Sequence, residues 1–400
     1  MTDMNSPAPD TLEMPVAAAT APRRLSAGLP CGLASGERRF PLTPEGAAML
    51  VERGIDVVME RGAGAPIHYS DEAYARAGVT LASRAETLLC DAVISLAPLA
   101  AAEIATMRRG ALLMTLAPPV INGPVRSARA LLDRGILTLA MERVEDEGGN
   151  RRGADILHEI DGGASLAIAS ALLTDPVHGK GILLGGVTGI VPCEVTVLGS
   201  GMGAVAAAHC ALGMGAVVRM FDNDLYSLRQ ACRVLDHKVI ASAMHPHVLE
   251  GALKSADVVI ATPMADSGFA VTSEQVGMMK ARVLVFDLNP CPGAVFPSLP
   301  LCDLGETTER EKAAGNGRMC CINVGCQVPR TAAMALSNVL LPLTQRLFGA
   351  VAGNSPENAL MLQPGIRCAA MTVFGKAVDP TLAGRLGVRC LDPNLFTSLS

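Results

Sequence analysis

Short runs of apolar residues alternate with amphipathic stretches along most of this chain. Residues 195–198, 217–221, 258–262 and 283–288 are such runs, each short enough to be a strand buried on both faces. Strand-like runs also occupy 55–59, 91–96, 111–116 and 319–324. Helical signals lie between them. Thr43 and Pro44 stand as an N-cap and first helical position, Ser70 caps a helix running through Ala77, and 204–213 is a helix of small apolar residues. Residues 156–173 and 331–348 predict two long helices. Residues 145–153 read as a polar hinge-like loop, 179–187 as glycine-rich with a short strand in the middle, and 290–317 as turn-rich. Strands alternating with helices predict an α/β chain with mainly parallel sheets. Residues 1–26, rich in Ala, Pro, Ser and Thr, read as a disordered extension, with the first folded element near Leu29. The pattern divides the rest into 27–150, a domain spanning 151–330 inserted after it, and 331–400, a linking helix and a return to the first domain.

The most informative stretch is EVTVLGSGMGAVAAAHCALGMGAVVRMFDND at 194–224. An apolar strand leads into Gly199, Gly201 and Ala204 at the spacing G-x-G-x-x-[G/A]. A small-residue helix follows, then a second strand ending in Asp222. Each part suits a dinucleotide. Gly199 makes the tight turn, Gly201 lets the backbone approach a pyrophosphate, and Ala204 lets the helix pack on the sheet. The N–H groups at Met202, Gly203 and Ala204 and the positive end of the helix dipole favour phosphate. Asp222 stands where a carboxylate accepts hydrogen bonds from the ribose hydroxyls of the adenosine, which favours NAD(H) over NADP(H). Arg219 faces either this site or the opposite side of its strand. The bland alternative is a tight strand–helix turn in a domain that binds nothing.

Composition narrows the partners. Only 3% of residues are aromatic and Trp is absent, which argues against platforms that stack bases or sugars. A net charge of −5 without a dense basic run gives no signal for nucleic acid. The twelve Cys are scattered, mostly within apolar segments, and read as reduced thiols of a cytoplasmic protein. The N-terminus carries acidic residues and no export signal, and no apolar run approaches the roughly 20 residues that span a bilayer. No metal is expected: His245 and His247 lack a third nearby ligand, and Cys320, Cys321 and Cys326 match no zinc spacing.

Longer segments carry a resemblance. ERRFPLTPEG (37–46) is similar to an ENRVALTP segment, and RGAGAPIHYSDEAYARAG (61–78) to a TGAG…FSDEDY…AGA segment. KGILLGGVTGIVPCEVTVLGSGMG (180–203) is close to GKGxLLGGVPGVxPAxVxxLGxGxxG. VPRTAAMALSNVLLP (328–342) and FGKAVD (374–379) match two further blocks. Over roughly 29–390 the chain resembles the family of alanine dehydrogenase and the NAD-binding α subunit of nicotinamide nucleotide transhydrogenase. The resemblance implies two Rossmann-like domains with parallel sheets, NAD bound by the inserted one, a small-molecule substrate in the cleft between them, and a homo-oligomer.

The family's catalytic set carries over only in part. Its carboxylate-binding arginine falls on Arg39. Its substrate-binding lysine falls on or near Ala97, its acid–base histidine on or near Pro118, and its aspartate beside the nicotinamide near Cys291. Cys291 is either a thiol acid–base or nucleophile, or a small turn residue between two prolines. Asn323 matches the asparagine at the nicotinamide end, and the family's serine near the start of the linking helix falls on His158. The transhydrogenase subunit also lacks the lysine and histidine, but its loop has a Gln that VEDEGGNRRGADILHE (144–159) does not. Three functions stay open. One is an NAD-dependent oxidoreductase of the alanine dehydrogenase type, acting on a small amino acid, imine or 2-oxo acid. The second is a catalytically silent NAD(H)-binding sensor or transhydrogenase-like subunit. The third is a lyase or cyclase with tightly held NAD.

Overall fold

The computed structural model describes residues 24–32, 36–264, 268–305, 318–348 and 363–398. The expected N-terminal extension lies outside them up to residue 23. Six strands alternate with six helices in the first part of the chain: β1 (Ser26–Leu29), α1 (Pro44–Glu52), β2 (Asp56–Glu60), α2 (Asp71–Arg76), β3 (Thr80–Ala82), α3 (Arg84–Leu88), β4 (Ala92–Ile94), α4 (Ala101–Thr106), β5 (Leu112–Thr115), α5 (Ala117–Ile121), α6 (Val125–Arg134) and β6 (Leu137–Ala140). The long helix α7 (Arg152–Thr174) leads into β7 (Glu194–Leu198), α8 (Met202–Gly213), β8 (Val217–Phe221), α9 (Leu225–Val234), β9 (Ile240–Ser242), α10 (Pro246–Ser255), β10 (Val258–Ala261), α11 (Ser273–Met278), β11 (Leu284–Asp287), β12 (Leu301–Asp303) and β13 (Cys320–Ile322). The chain then runs through α12 (Pro329–Phe348), α13 (Pro364–Arg367), β14 (Ala370–Val373), β15 (Lys376–Ala377) and α14 (Pro380–Leu386).

These strands form two sheets. The first has the order β15-β14-β6-β5-β4-β1-β2-β3, the second β12-β13-β11-β10-β7-β8-β9. All pairings are parallel except β14 with β6 and β14 with β15. Because β14 and β15 come after the second sheet yet add to the edge of the first, the second sheet is an insertion. In each, strand order reverses beside the first strand, β1 or β7, leaving a crevice at the carboxyl ends where doubly wound sheets bind ligands. Strands such as AVI, LLMT, VVIA and LVFD are buried along their whole length, as parallel strands covered on both faces must be.

Caps follow the sequence. Thr43 Oγ1 accepts the Gly46 N–H at 3.3 Å, and Ser70 Oγ accepts the Ala73 N–H at 3.3 Å. Three expectations need correction. The first strand starts at Ser26, inside the stretch read as an extension. Its sequence SAGL gives a weak apolar run because position 28 must be glycine: a Cβ there would lie 2.0 Å from the Thr87 carbonyl oxygen. No strand forms within 179–187, because Gly181 and Gly186 take φ of +65° and +67° and break the extended run. The turn-rich 290–317 contains the edge strand β12. In addition, α7 is, at 23 residues, long and apolar enough by composition to cross a bilayer. Here it is a core helix. Leu166, Ala169 and Leu173 are at most 1% exposed, and its Gly162 meets α8 so closely that a Cβ would lie 2.2 Å from the Gly203 carbonyl oxygen.

Candidate functional site

At the carboxyl end of β7 the glycine turn is built from residues with separate constraints. Gly199 takes φ +108°, and a Cβ there would stand 2.2 Å from Thr262 Oγ1, so both conformation and space require glycine. Gly201 has φ −72°, which any residue can adopt. A Cβ on it would meet only the Pro263 carbonyl oxygen, at 3.8 Å. Its bare hydrogen therefore leaves room outside the protein, as a backbone-to-phosphate approach needs. No side chain caps α8, so the N–H groups of Met202, Gly203 and Ala204 are not taken by a capping side chain. Gly203 has a second constraint. It is pressed against α7, where its Cβ would lie 3.0 Å from the His158 carbonyl oxygen. Ala204 is fully buried beneath the turn.

Asp222 follows β8 and is 5% exposed. One carboxylate oxygen accepts the Ser200 hydroxyl at 2.7 Å, the other the Asp224 N–H at 2.9 Å. It is thus pinned to the glycine turn itself, with lone pairs to spare for a diol. Arg219 turns the other way and pairs with Glu194 at 3.0 Å. No guanidinium from that strand awaits a 2′-phosphate. A nicotinamide dinucleotide fits this cradle: Gly199, Gly201, the first N–H groups of α8 and Asp222 would hold it.

Between the two sheets lies a cleft of about 710 Å³, lined by loops from the carboxyl ends of strands of both. Arg39, Pro118, His158, Cys291 and Asn323 all border it. Ala97 does not. It is 4% exposed, between Leu96 and Pro98, which do. Arg39 is already engaged. Its Nε and Nη2 donate to the two oxygens of Glu37 at 2.9 and 2.7 Å, a buried two-point pair with side chains 14% and 11% exposed. Burial pulls the pKa of His158, in the second turn of α7, down against the pull of Asp155. Asn323 sits in a left-handed conformation after β13, its amide donating to Asp303 at 2.5 Å. Cys291 is exposed on a loop tied to the first part of the chain by Asn122, which donates to the Pro290 carbonyl at 3.2 Å.

The sequence left several cleft residues unmarked. Glu37 receives the Cys326 thiol at 3.3 Å, joining the two sheets' loops. Burial raises the Glu37 carboxyl, but Arg39 outweighs it and leaves the group below its usual value. The Cys326 thiol is pushed up to about 12, chiefly by burial. Asp161, on α7, is raised to about 6 by burial, against the Arg39 charge and a hydrogen bond from the Gly325 backbone. Glu142 accepts the Ala117 N–H at 2.8 Å through Oε1, while its Oε2 is buried without a partner. Burial raises Glu142 as well, against Ala117 and the charges of Arg143 and Arg151. Asp287 is compensated by three N–H donors, from Asn289 twice and Gly293. Asp161 as the last charged residue before the uncharged run 162–173 is the one available signal; Glu142 is hidden in the charged run 142–147.

Comparison with known proteins agrees with this architecture. The N-terminal domain model of alanine dehydrogenase/PNT matches residues 28–160, and the C-terminal domain model matches 165–380. An alanine dehydrogenase of Mycolicibacterium smegmatis is 31% identical over 329 residues, covering 80% of this chain and 86% of its own. One of Bacillus subtilis is 29% identical over 364 residues, covering 90% and 94%. Among solved structures an L-alanine dehydrogenase superposes with a TM-score of 0.76 at 25% identity, covering 90% of this chain and 98% of its own. A transhydrogenase from Sinorhizobium meliloti shares the fold, with a TM-score of 0.69 at 21% identity over 88% of this chain and all of its own. The chain belongs to the alanine dehydrogenase/PNT family.

Proposed function

We propose that this chain is an NAD(H)-dependent oxidoreductase that acts on a small amino acid, imine or 2-oxo acid in the cleft between its two sheets. The observation that carries the reading is the cradle at β7. Gly201 lacks a side chain where no protein atom crowds it, and Asp222 is fixed beside it. Bound NAD(H) supplies the hydride donor or acceptor. The chain's own residues hold its phosphates at the start of α8 and its ribose at Asp222, while Asn323 and His158 border the cleft where substrate would meet the nicotinamide. The apolar walls at Leu116, Pro118 and Leu157 limit water there. Relatives named alanine dehydrogenases support this reaction class.

The test is NADH oxidation by purified protein against a panel of 2-oxo acids with ammonium and of preformed imines. Turnover with any of them supports the reading. Tight NADH binding without turnover supports the second reading, a silent NAD(H) binder, which Ala97 and Pro118 at the family's lysine and histidine positions favour. A second copy of this chain is the proposed partner. The segment between α7 and β7 exposes Val177, Leu183, Ile190 and Val191 at 60–82%, an apolar surface suited to self-association. Analytical ultracentrifugation tests it, and a monomer at micromolar concentration would refute it. Twelve unbonded thiols fit a reducing compartment, so the cytoplasm is the proposed location.

A further inference from the structure

One wall of the cleft offers a polar ligand nothing to bind. It stands at the exits of β4 and β5 and is lined by Pro98, Pro118, Pro119 and Ile121. The stretch 116–121, LAPPVI, has no polar side chain. Its backbone gives no donor at the start of α5 either. The Ala117 N–H, at the first helical position, goes to Glu142 at 2.8 Å, and the next two positions are prolines without N–H groups. Yet this wall is not packed away: Pro98 is exposed, and Pro118, Pro119 and Ile121 are half-buried. From the other half of the chain Pro290 and Pro292, both exposed, line the same cleft, and Asn122 holds their loop to this wall through the Pro290 carbonyl. Rigid apolar rings from both halves thus stand open in one place, where water gains nothing from them. A Cβ placed on Gly32 would meet the Glu37 carbonyl oxygen at 3.0 Å and the Ala97 Cβ at 3.1 Å, so the loop that carries Arg39 lies against the exit of β4. Arg39 gives Nε and Nη2 to Glu37, and its Nη1 has no partner among the described residues. A guanidinium and an apolar wall therefore adjoin within one cleft.

We propose that the substrate is an amino acid or 2-oxo acid with a bulky apolar side chain, branched or cyclic, whose carboxylate pairs with Arg39 and whose side chain packs on Pro98, Pro118, Pro119 and Ile121. This rests on the reading of the cleft as the place of hydride transfer, and it supplies the side chain which that reading leaves open. Size agrees with the class. A cleft of about 710 Å³ is in the range that holds a drug-sized ligand, and a three-carbon acid on Arg39 would leave the proline rings wet. Rigidity agrees as well: proline rings lose no rotamer freedom when a ligand covers them, so the contact carries little entropic cost. Neither Ala97 nor Pro118 has a titratable group, so this wall contributes contact and exclusion of water rather than proton transfer. Contact made away from the reacting carbon raises kcat/KM when it is realised in the transition state, so side-chain size is read in that ratio.

The experiment is NADH oxidation by the intact protein with ammonium and a series of 2-oxo acids: pyruvate, 2-oxobutanoate, 4-methyl-2-oxopentanoate and phenylpyruvate. The same acids are titrated calorimetrically into the protein with NAD+, where no hydride is available. The expected result is a kcat/KM that rises with side-chain size. At 4-methyl-2-oxopentanoate it stands about fiftyfold above pyruvate, the factor that burying three more carbons supplies. Affinities in the titrations follow the same order. Ile121→Ser and Pro98→Ser each lower the ratio of 4-methyl-2-oxopentanoate to pyruvate about tenfold, with circular dichroism checking the fold. Pyruvate used as well as the branched acid, or better, would overturn the proposal. So would a ratio unchanged in both variants, or no binding and no turnover of any acid in the series. Failure of the oxidoreductase reading shows separately: the acids then bind beside NAD+ in the expected order and none oxidises NADH.

Discussion

The two sheets share one parallel strand order around their switch points, β5-β4-β1-β2-β3 and β11-β10-β7-β8-β9, and differ in what occupies the crevice there. Beside β1 the crevice is filled by protein. Glu60, ending β2, accepts the Cys31 N–H at 2.7 Å, and Arg84 bridges Glu60, Glu103 and the Cys31 carbonyl oxygen. Among the described residues no helix begins there: the first, α1, starts at Pro44. Beside β7 the equivalent acid, Asp222, is held by Ser200 and a backbone N–H and paired with no cation among the described residues, and α8 begins at once with no side chain capping it. The same fold is thus closed in one half by an internal arginine and left open in the other. Topology supplies a crevice; side chains decide whether a ligand can use it.

The largest effect expected concerns Asp161, the acid buried where loops of the two halves meet. Its folded value of about 6 lies above the unfolded 3.8, so the native state holds this proton more tightly. The stability this contributes is whole below about pH 4 and is lost as pH rises through about 6. Asp161→Asn removes the dependence, so relative to wild type the variant gains on the order of 3 kcal/mol between pH 4 and 7 in urea denaturation. Equal pH profiles would contradict it. Next, Gly201→Val fills the open space at the phosphate cradle. It weakens NADH about 100-fold, roughly 2.7 kcal/mol, with a melting temperature near that of wild type. Asp222→Asn costs NADH about tenfold, roughly 1.4 kcal/mol, and narrows the preference over NADPH. Arg84→Met reopens the first crevice and lowers stability by about 1 kcal/mol, because the network is partly exposed. It creates no second NADH site, since no helix end among the described residues faces that crevice, and a stoichiometry of two would break the comparison. The smallest effect is Arg219→Gln, which loses a half-exposed pair worth under about 0.5 kcal/mol and leaves NADH against NADPH selectivity unchanged.

The nucleotide half was legible because its function is local. Gly199, Gly201, Ala204 and Asp222 lie within one strand–turn–helix–strand unit, and their spacing fixes their geometry. The insertion was legible too, from the helical run at 331–348 and the return after it. The cleft was not, because its charges meet across long separations. The resemblance puts Arg39 at the carboxylate-binding position, and only the fold shows Glu37 paired with it and Cys326 brought up to Glu37 from 289 residues away. Glu142 gave no periodic signal, since its significance is an absent partner. The start of the first strand is hidden for a related reason: Gly28 is dictated by close approach to Thr87 rather than by hydrophobicity.

The central claim is that one dinucleotide site exists, at the β7 switch point. Calorimetric titration of NADH into wild type, Gly201→Val and Arg84→Met tests it most directly. The account predicts one site per chain in wild type and Arg84→Met, and about 100-fold weaker binding in Gly201→Val. NADH affinity unaffected by Gly201→Val would contradict it.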